Sequence, residues 1–230
     1  MKAFVLLSGG VDSTTCLHIA VEEFPEVEGI SVNYGQRHSK EIEYAKLSCE
    51  GLGVDHHTLK IDGIVPLTML TDADAAIPNI SYSEIEGVSP TYVPFRNGLM
   101  LSAISSYVAG QWDKEMRESE PVTDEWAIYF GAHAEDAQNW AYPDCTPEFI
   151  GSMANAIYVG TYRAIRLHTP LQWLTKREII KRGSELAIDW RKTWSCYAGG
   201  ELHCGTCPTC RARRQGFVDA HVTDPTEYAA

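Results

Sequence analysis

Ala3-Phe4-Val5-Leu6-Leu7-Ser8-Gly9-Gly10-Val11-Asp12-Ser13 is the stretch from which the fold class can be predicted. Its first five residues form a short apolar run, as expected for a central strand covered on both faces of a parallel sheet. Its two glycines let the backbone turn sharply and approach a ligand closely. Apolar residues at helical spacing follow directly. We therefore predict a strand, a tight loop and a helix in this order.

The loop Ser8–Ser13 has the composition of an anion-binding site. The helix after it would offer unpaired N–H groups and a positive dipole end, and its two serines add hydroxyl donors. A Walker A loop requires a lysine, but none lies between Lys2 and Lys40, and the dinucleotide fingerprint Gly-x-Gly-x-x-Gly is missing too. A plain strand-to-helix turn is the alternative. The complete Ser-Gly-Gly-x-Asp-Ser string favours phosphate binding.

Downstream, strand-like and helix-like stretches alternate, which is typical of an α/β fold with a parallel sheet between helices. The predicted strands are Val27–Asn33, His57–Ile61, Trp126–Gly131 and Ile165–His168. The predicted helices are Thr14–Glu23, Ser39–Leu52, Asn97–Gly110, Pro147–Tyr158 and Thr175–Ala187, the last opened by a capping box of Thr175 and Glu178. Such sheets bind ligands beyond the carboxyl ends of their strands, so we expect the site there.

Two stretches lack this periodicity. The charged residues Lys114–Glu125 are predicted to form a solvated loop. Residues 63–93 contain several prolines, serines and aspartates and are predicted to be an insertion or a mobile flap with a functional role. The domain prediction is a nucleotide-binding α/β domain over residues 1–170 and a small helical, metal-binding region over residues 171–230.

Composition excludes some functions. The 230 residues carry a formal net charge of −12, which argues against nucleic acid as the main partner, because binding to a phosphate backbone depends largely on Lys and Arg. No apolar stretch reaches the ~18 residues that a membrane helix needs. The apolar run near the N-terminus ends at Ser8, too early for a signal peptide. We expect a cytoplasmic protein with no membrane contact.

Four of the seven cysteines lie close together near the C-terminus, with the spacing Cys-x7-Cys-x2-Cys-x2-Cys. The four are Cys196, Cys204, Cys207 and Cys210. In a reduced compartment such a cluster indicates a metal, and four thiolates match structural Zn²⁺. An iron–sulfur cluster is the alternative, although its cysteine pattern continues downstream whereas Cys210 is the last cysteine here. The arginines at 211, 213 and 214 would offset the charge of the thiolates.

Several strings together resemble the 7-cyano-7-deazaguanine synthase family, within the PP-loop ATP pyrophosphatase superfamily. They are Ser8–Cys16, Asn33-Tyr34-Gly35-Gln36-Arg37-His38, Val93-Pro94-Phe95-Arg96-Asn97, Tyr142-Pro143-Asp144-Cys145 and Thr193-x-Ser195-Cys196-Tyr197. The resemblance extends from Ala3 to Gly216 and leaves out the last fourteen residues. The stretch from Gly131 to Tyr142 is longer than the common family form. It therefore stays open whether Glu135 or Asp136 is the acidic residue of the family.

The resemblance implies a Rossmann-like PP-loop fold and an ATP-dependent ligase that forms carbon–nitrogen bonds. ATP would activate the carboxylate of 7-carboxy-7-deazaguanine, ammonia would give the amide, and a second ATP would lead to the nitrile. The predicted elements leave no room for a glutaminase, which fits free ammonia. A homodimer is implied as well.

Residue roles follow from the same resemblance. The expected ATP-binding residues are Leu7, Ser8, Gly9, Gly10, Val11, Asp12, Ser13, Thr14, Thr15, Cys16 and Leu17, with Asp12 helping to place Mg²⁺. The candidate catalytic residues are Asp12, Arg37, His38, Arg96 and Asp136. Asp144 and Cys145 are candidate substrate contacts, with a structural turn as the alternative.

The sequence leaves three other functions open. A tRNA-thiolating enzyme also combines a PP-loop with cysteines, but would have a basic surface. A zinc module that only senses a nucleotide would not explain the strings around Arg37 and Arg96. A relative acting on the same acid but stopping at the amide is not separable by sequence.

Overall fold

The computed structural model describes residues 1–37, 39–72, 74–118, 125–133, 135–137 and 140–230. Within them, five strands form a sheet in the order β3-β2-β1-β4-β5, and all neighbours are parallel. The strands are β1 (Lys2–Leu6), β2 (Glu26–Asn33), β3 (Asp55–Lys60), β4 (Trp126–Tyr129) and β5 (Ile165–His168). The predicted α/β class is confirmed.

Six α-helices accompany the sheet in the described residues. They are α1 (Val11–Glu23), α2 (Lys40–Leu52), α3 (Arg96–Glu118), α4 (Pro147–Gly160), α5 (Lys176–Glu185) and α6 (Pro208–Ala220). Short 3-10 turns occur at Tyr82–Glu84, Pro143–Cys145 and Trp190–Lys192. The predicted capping box at the start of α5 is present. None of the described helices is both long and apolar enough to cross a bilayer.

The sheet is covered on both faces because side chains of a strand alternate between them. Ala3 and Val5 of β1 belong to one buried cluster, which also contains residues of α1, α5 and α6. Phe4 and Leu6 belong to the other, with residues of α3 and α4. A strand covered on both sides must be apolar throughout, which explains the uninterrupted run at the N-terminus.

Helix α3 is longer than predicted. It continues past Gly110 to Glu118, so the first part of the charged stretch is helical and the loop prediction is wrong there. Charged residues with long side chains are good helix formers. Within this extension Arg117 donates to Asp113 at 2.8 Å, one turn earlier, and Lys2 of β1 donates to Glu115 at 2.6 Å. Residues 119–124 lie outside the described part of the chain.

Residues on both sides of the predicted domain boundary share one core. Leu171, Ile180 and Phe217 lie in the same buried cluster as Val5 and Leu17. The C-terminal helices therefore pack directly on the sheet domain. The division at residue 170 stays a prediction.

Candidate active site and metal centre

A cavity opens at the carboxyl edge of the sheet, beside β1 and β4, where the strand order changes direction. Open parallel sheets bind ligands at this position. The loop after β1, the first turn of α2, the start of α3 and the residues after β4 contribute to its wall, as do residues C-terminal to β5. The elements that the sequence separates widely therefore meet around one space.

The loop after β1 is held in a conformation that only glycine adopts easily. Gly9 has φ of +71°, and a Cβ atom there would lie 2.6 Å from both the Ala45 nitrogen and the Glu41 carbonyl oxygen. Trp194 donates its backbone N–H to the Gly9 carbonyl at 2.8 Å. The Ser8 N–H donates to the Ser13 hydroxyl oxygen at 3.1 Å. The loop is thus fixed between α2 and the chain near residue 194.

Apart from Gly9, the residues predicted to bind ATP divide into two groups. Those that line the cavity are Leu7, Ser8, Gly10, Val11, Asp12 and Ser13. Thr14, Thr15, Cys16 and Leu17 are buried, and the Thr15 hydroxyl donates to the Val11 carbonyl within α1 at 2.8 Å. These four residues pack in the interior behind the loop and support it. The ATP contacts themselves stay a prediction.

A cluster of four charged or titratable side chains lies beside the loop. Lys176 Nζ donates to the two carboxylate oxygens of Asp12 at 2.6 and 2.7 Å and lies 3.1 Å from His133 Nε2. The same histidine nitrogen lies 3.2 Å from the Asp136 carboxylate. Burial favours the neutral form of Asp12, but Lys176 and then His133 outweigh it, so the pKa of Asp12 is lowered. This carboxylate is ionised at neutral pH.

Sequence reasoning missed Lys176 and His133. Lys176 is the first residue of α5 and lies one position after the predicted capping residue Thr175. A cation at the start of a helix that follows a parallel strand was the available signal, because that helix end faces the ligand edge of the sheet. His133 had a comparable signal, since it follows β4 closely.

Arg96, the first residue of α3, also lines the cavity. Its neighbours are the hydroxyls of Tyr34 and Tyr197 and the carboxylate of Glu41. Burial lowers the pKa of Arg96, but these neighbours outweigh it and the pKa lies well above its ordinary value. Burial also raises the pKa of Glu41, and Arg96 opposes that rise. Arg96 is a permanent cation in a half-buried, aromatic part of the cavity.

Asp144 and Cys145 both contact Asn97. The Asp144 carboxylate accepts from the Asn97 backbone N–H at 2.9 Å, and the Asn97 amide lies 3.1 Å from the Cys145 sulfur. Asp144 thereby satisfies a free N–H at the start of α3. Cys145 lines the cavity, and burial raises the pKa of its thiol well above the ordinary value. At neutral pH this thiol is a neutral wall group, and a substrate contact stays a prediction for both residues.

The other candidates differ in position. Arg37 donates to the Ala75 carbonyl at 2.8 Å and thereby ties the 63–93 segment to the end of β2. His38 lies outside the described residues. Of the two open carboxylates, Asp136 lines the cavity, while the Glu135 backbone donates to His133 at 3.3 Å. Which of the two is the functional carboxylate stays a prediction. Catalytic roles for Arg37, His38 and Asp136 stay predictions.

The four C-terminal cysteines converge. One sulfur each from Cys196, Cys204, Cys207 and Cys210 lies within 4.8 Å of all the others. The backbone N–H groups of Cys204 and Cys207 lie 3.3 Å from the sulfurs of Cys196 and Cys204, respectively. Such N–H groups stabilise thiolates, the form in which cysteine binds metal. The cluster could bind a metal ion.

The residues beyond the resemblance wrap around this cluster. The Ala229 N–H donates to the His203 carbonyl at 2.8 Å. Arg213 is fully buried and donates to Thr193 at 2.8 Å and to the Asp224 carboxylate at 3.4 Å. Arg213, one of the three arginines predicted to offset the charge of the thiolates, is therefore paired with Asp224. Arg211 and Arg214 contact Asn79 at 2.5 Å and the Ala230 carbonyl at 3.2 Å, so these two also have other partners.

Comparison with known protein families gives a match over nearly the whole chain. A family model described as "Queuosine biosynthesis protein QueC" matches residues 2–221. The chain belongs to the QueC family. The match reaches beyond the interval Ala3–Gly216 over which the sequence strings resembled this family.

Relatives of this QueC family member match over nearly the whole chain. The 7-cyano-7-deazaguanine synthase of Thermoplasma acidophilum is 41% identical over 233 residues, which cover 99% of this chain and 92% of that protein. The enzyme of the same name from Caldicellulosiruptor bescii is 38% identical, covering 99% and 97%. Among solved structures, the U34-tRNA thiolase NcsA of Methanococcus maripaludis is 15% identical with a TM-score of 0.44, covering 100% of this chain and 76% of that one. A likeness at that level carries no functional argument.

Proposed function

We propose that this chain is an ATP-dependent ligase that converts 7-carboxy-7-deazaguanine and ammonia into 7-cyano-7-deazaguanine. One observation carries the proposal. In a QueC family member, a single cavity joins the glycine loop and the Asp12–Lys176 pair to Arg96 and a set of tyrosines. The loop suits a polyphosphate, and the aromatic part suits a planar acid. Relatives named 7-cyano-7-deazaguanine synthase support the choice of product.

The loop residues Ser8–Ser13 would hold the β,γ-pyrophosphate of ATP through backbone N–H groups and hydroxyls. Lys176 would offset phosphate charge from the side of α5. Asp12 and Asp136 are the carboxylates that would hold the Mg²⁺ accompanying ATP. When bound, this ion neutralises charge on the phosphates and orients them.

The first half-reaction replaces one oxygen of the acid by nitrogen. A carboxylate oxygen of the acid attacks the α-phosphorus of ATP and pyrophosphate leaves, which gives an acyl adenylate. Ammonia then attacks the carbonyl carbon, AMP leaves and a proton is lost. Arg96 would position the acid by charge-assisted hydrogen bonds, since a fixed guanidinium matches carboxylate geometry.

The second half-reaction removes the remaining oxygen. The amide oxygen attacks the α-phosphorus of a second ATP and pyrophosphate leaves again. Loss of AMP and of the two amide protons produces the nitrile. Each oxygen of the acid thus leaves on an AMP, so one nitrile requires two ATP molecules.

The cysteine cluster is proposed to hold one structural Zn²⁺. Four sulfurs about 2.3 Å from one ion lie roughly 3.8 Å apart in a tetrahedron, and the Cys204 and Cys210 sulfurs lie 3.9 Å apart. An iron–sulfur cluster places several metal atoms between its thiolates and needs wider spacing. A closed shell of four thiolates has no open position for a substrate. A homodimer in the cytoplasm completes the proposal, on the strength of the family resemblance.

Product analysis tests the function. Purified protein is incubated with the deazaguanine acid, ATP, Mg²⁺ and ammonium, followed by mass spectrometry of the product and chromatography of the nucleotides. We expect the nitrile with two AMP and two pyrophosphate. Accumulation of the amide would assign the chain to the amide-forming relatives, and ADP with orthophosphate would refute the role of the loop. Sulfur transfer to tRNA in a parallel assay would favour a thiolase, which the net charge of −12 argues against.

A further inference from the structure

Three carboxylates of the described residues line the cavity, and one of them stands apart. Asp12 is bound by Lys176 at 2.6 and 2.7 Å, and Asp136 lies 3.2 Å from His133. Both therefore belong to the charged cluster beside the phosphate loop. Glu41, in the first turn of α2, lines the cavity as well. The function proposed above gives it no task.

Arg96 connects Glu41 to the aromatic part of the cavity. Its charged neighbour is Arg96, and the Tyr34 hydroxyl lies beside both groups. Tyr197 lies next to Arg96 and to the ring pair Tyr82–Tyr142, whose centroids are 5.9 Å apart at an angle of 86°. Aromatic walls bind planar rings, and a carboxylate among them needs donors to compensate for lost hydration.

The polar edges of a deazaguanine differ in hydrogen-bonding character. One edge carries the ring N1–H and the 2-amino group, two donors that point in the same direction. A carboxylate accepts two such donors through its two oxygens. The adjacent edge carries the 6-oxo group and, in this substrate, the 7-carboxylate, which are acceptors and suit a guanidinium.

We propose that Glu41 determines specificity by accepting hydrogen bonds from the N1–H and 2-amino groups of the deazaguanine, while Arg96 faces the acceptor side. This inference rests on the proposed function and names the group that reads the base. Removing the 2-amino group leaves one carboxylate oxygen without its partner in a partly buried site. A site built to bind an N–H group rejects analogues that lack it.

Two substrates and three proteins test this inference. The substrates are the deazaguanine acid and its analogue without the 2-amino group, and the proteins are wild type, Glu41→Gln and Glu41→Asp. Wild type should prefer the 2-amino substrate by ~10- to 100-fold in kcat/KM. Glu41→Gln should lose most of this preference, because its amide presents a donor to the donors of the base. Glu41→Asp keeps the carboxylate and should retain a preference at a higher KM.

The matched control is Glu43→Gln, in the same helix turn, where the carboxylate is exposed and accepts from Ser39 at 2.6 Å. It should behave as wild type. In Glu41→Gln the KM for the acid should rise while the KM for ATP changes less than about twofold. For a variant whose turnover is too low to measure, calorimetric titration with each substrate in the absence of ATP compares the two binding affinities.

The outcomes separate the two proposals. If wild type turns over neither substrate, the proposed function fails. If wild type is active but Glu41→Gln keeps the full preference for the 2-amino substrate, only the role of Glu41 fails. If Asp136→Asn loses the preference for the 2-amino substrate and Glu41→Gln retains it, the inference is overturned and Asp136 is the residue that reads the base.

Discussion

Lys176 Nζ donates to both carboxylate oxygens of Asp12, at 2.6 and 2.7 Å, although 164 positions separate the two residues. The pair joins the start of α1 to the start of α5, and His133 after β4 lies 3.1 Å from the same lysine nitrogen. Three chain segments that leave the carboxyl edge of the sheet thus meet at one lysine nitrogen. The pair lies at the cavity wall beside the glycine loop.

Replacing Lys176 should impair ATP use more than stability. In Lys176→Met the cation next to the phosphate site is lost, and the charge that lowers the pKa of Asp12 goes with it. We expect kcat/KM for ATP to fall by ~100-fold or more. This is the usual effect of removing a fixed hydrogen-bond donor from a position where negative charge develops in the transition state. The measurement is AMP release at varied ATP. Lys181→Met, an exposed change on the same helix, should stay near wild type. Equal losses in both variants would remove Lys176 from the site.

Two glycine substitutions distinguish the effect of a steric clash from the effect of backbone strain alone. Gly9 and Gly53 both have positive φ, +71° and +67°, but only at Gly9 would a Cβ atom meet the α2 backbone at 2.6 Å. Gly53→Ala should therefore cost about 1 kcal/mol, the strain of a left-handed residue. Gly9→Ala should displace α2 from the loop, with a larger loss of thermal stability and of ATP affinity. Comparable melting temperatures for the two variants would contradict the close packing.

The buried Arg213–Asp224 pair should stabilise the C-terminal region in a pH-dependent way. Burial favours the neutral form of Asp224, but Arg213 and the Tyr228 hydroxyl outweigh it, so the pKa of Asp224 is lowered. Asp224→Asn leaves the Arg213 guanidinium, of which 1% is exposed, without its counter-charge. We expect a loss of about 2–4 kcal/mol at pH 7 in urea unfolding.

The pH dependence of this loss has a definite sign. A carboxylate with a lowered folded pKa stabilises the fold above its unfolded pKa of about 4, and this contribution disappears as the pH falls through the folded pKa. Wild type and Asp224→Asn should therefore converge in stability from about pH 4 downward. Asp219→Asn, an exposed change on α6, should match wild type throughout. A stability difference that is independent of pH would contradict the ion pair.

The cysteine cluster should bind one zinc per chain in a structural role. Cys204→Ser should lower metal content and thermal stability together, because the binding energy of a structural metal is folding energy. Elemental analysis and thermal melting measure both. Cys49→Ser, at a buried cysteine on α2, should keep its zinc. Iron in the wild-type protein, or lost turnover with an unchanged melting temperature in Cys204→Ser, would refute this role.

Arg96→Lys keeps a charge but loses the planar fork of the guanidinium. We expect kcat/KM for the deazaguanine acid to fall by ~10- to 100-fold. Because Arg96 also lies against Glu41 and Tyr34, a modest loss of stability should accompany the kinetic effect. Arg117→Lys at the exposed end of the same helix is the control, with 76% of its side chain exposed. Kinetics near wild type in Arg96→Lys would place Arg96 outside the reaction.

The sequence predicted most elements correctly where local rules act. Apolar runs and capping residues located five strands and five helices, and the paired glycines located the loop after β1. The end of α3 was missed because its charged last turns carry no apolar pattern and depend on contacts such as Lys2 with Glu115. Helix α6 was not separately delimited, since the cysteine spacing that precedes it indicates a metal site and not a helix.

Two features can be predicted without the structure: the strand–loop–helix with its anion-binding chemistry, and the metal site indicated by the four-cysteine spacing. Both are short-range patterns, in which neighbouring residues set the backbone conformation. Three pairings are visible only in the folded chain: Lys176 binds Asp12, Glu41 lies beside Arg96, and Arg213 is paired with Asp224. The first two of these pairs come from elements far apart in sequence that meet at one sheet edge, and a linear pattern does not encode which side chains face each other there. The C-terminal segment gained its contacts in the same way, by folding back onto α6 and the cysteines.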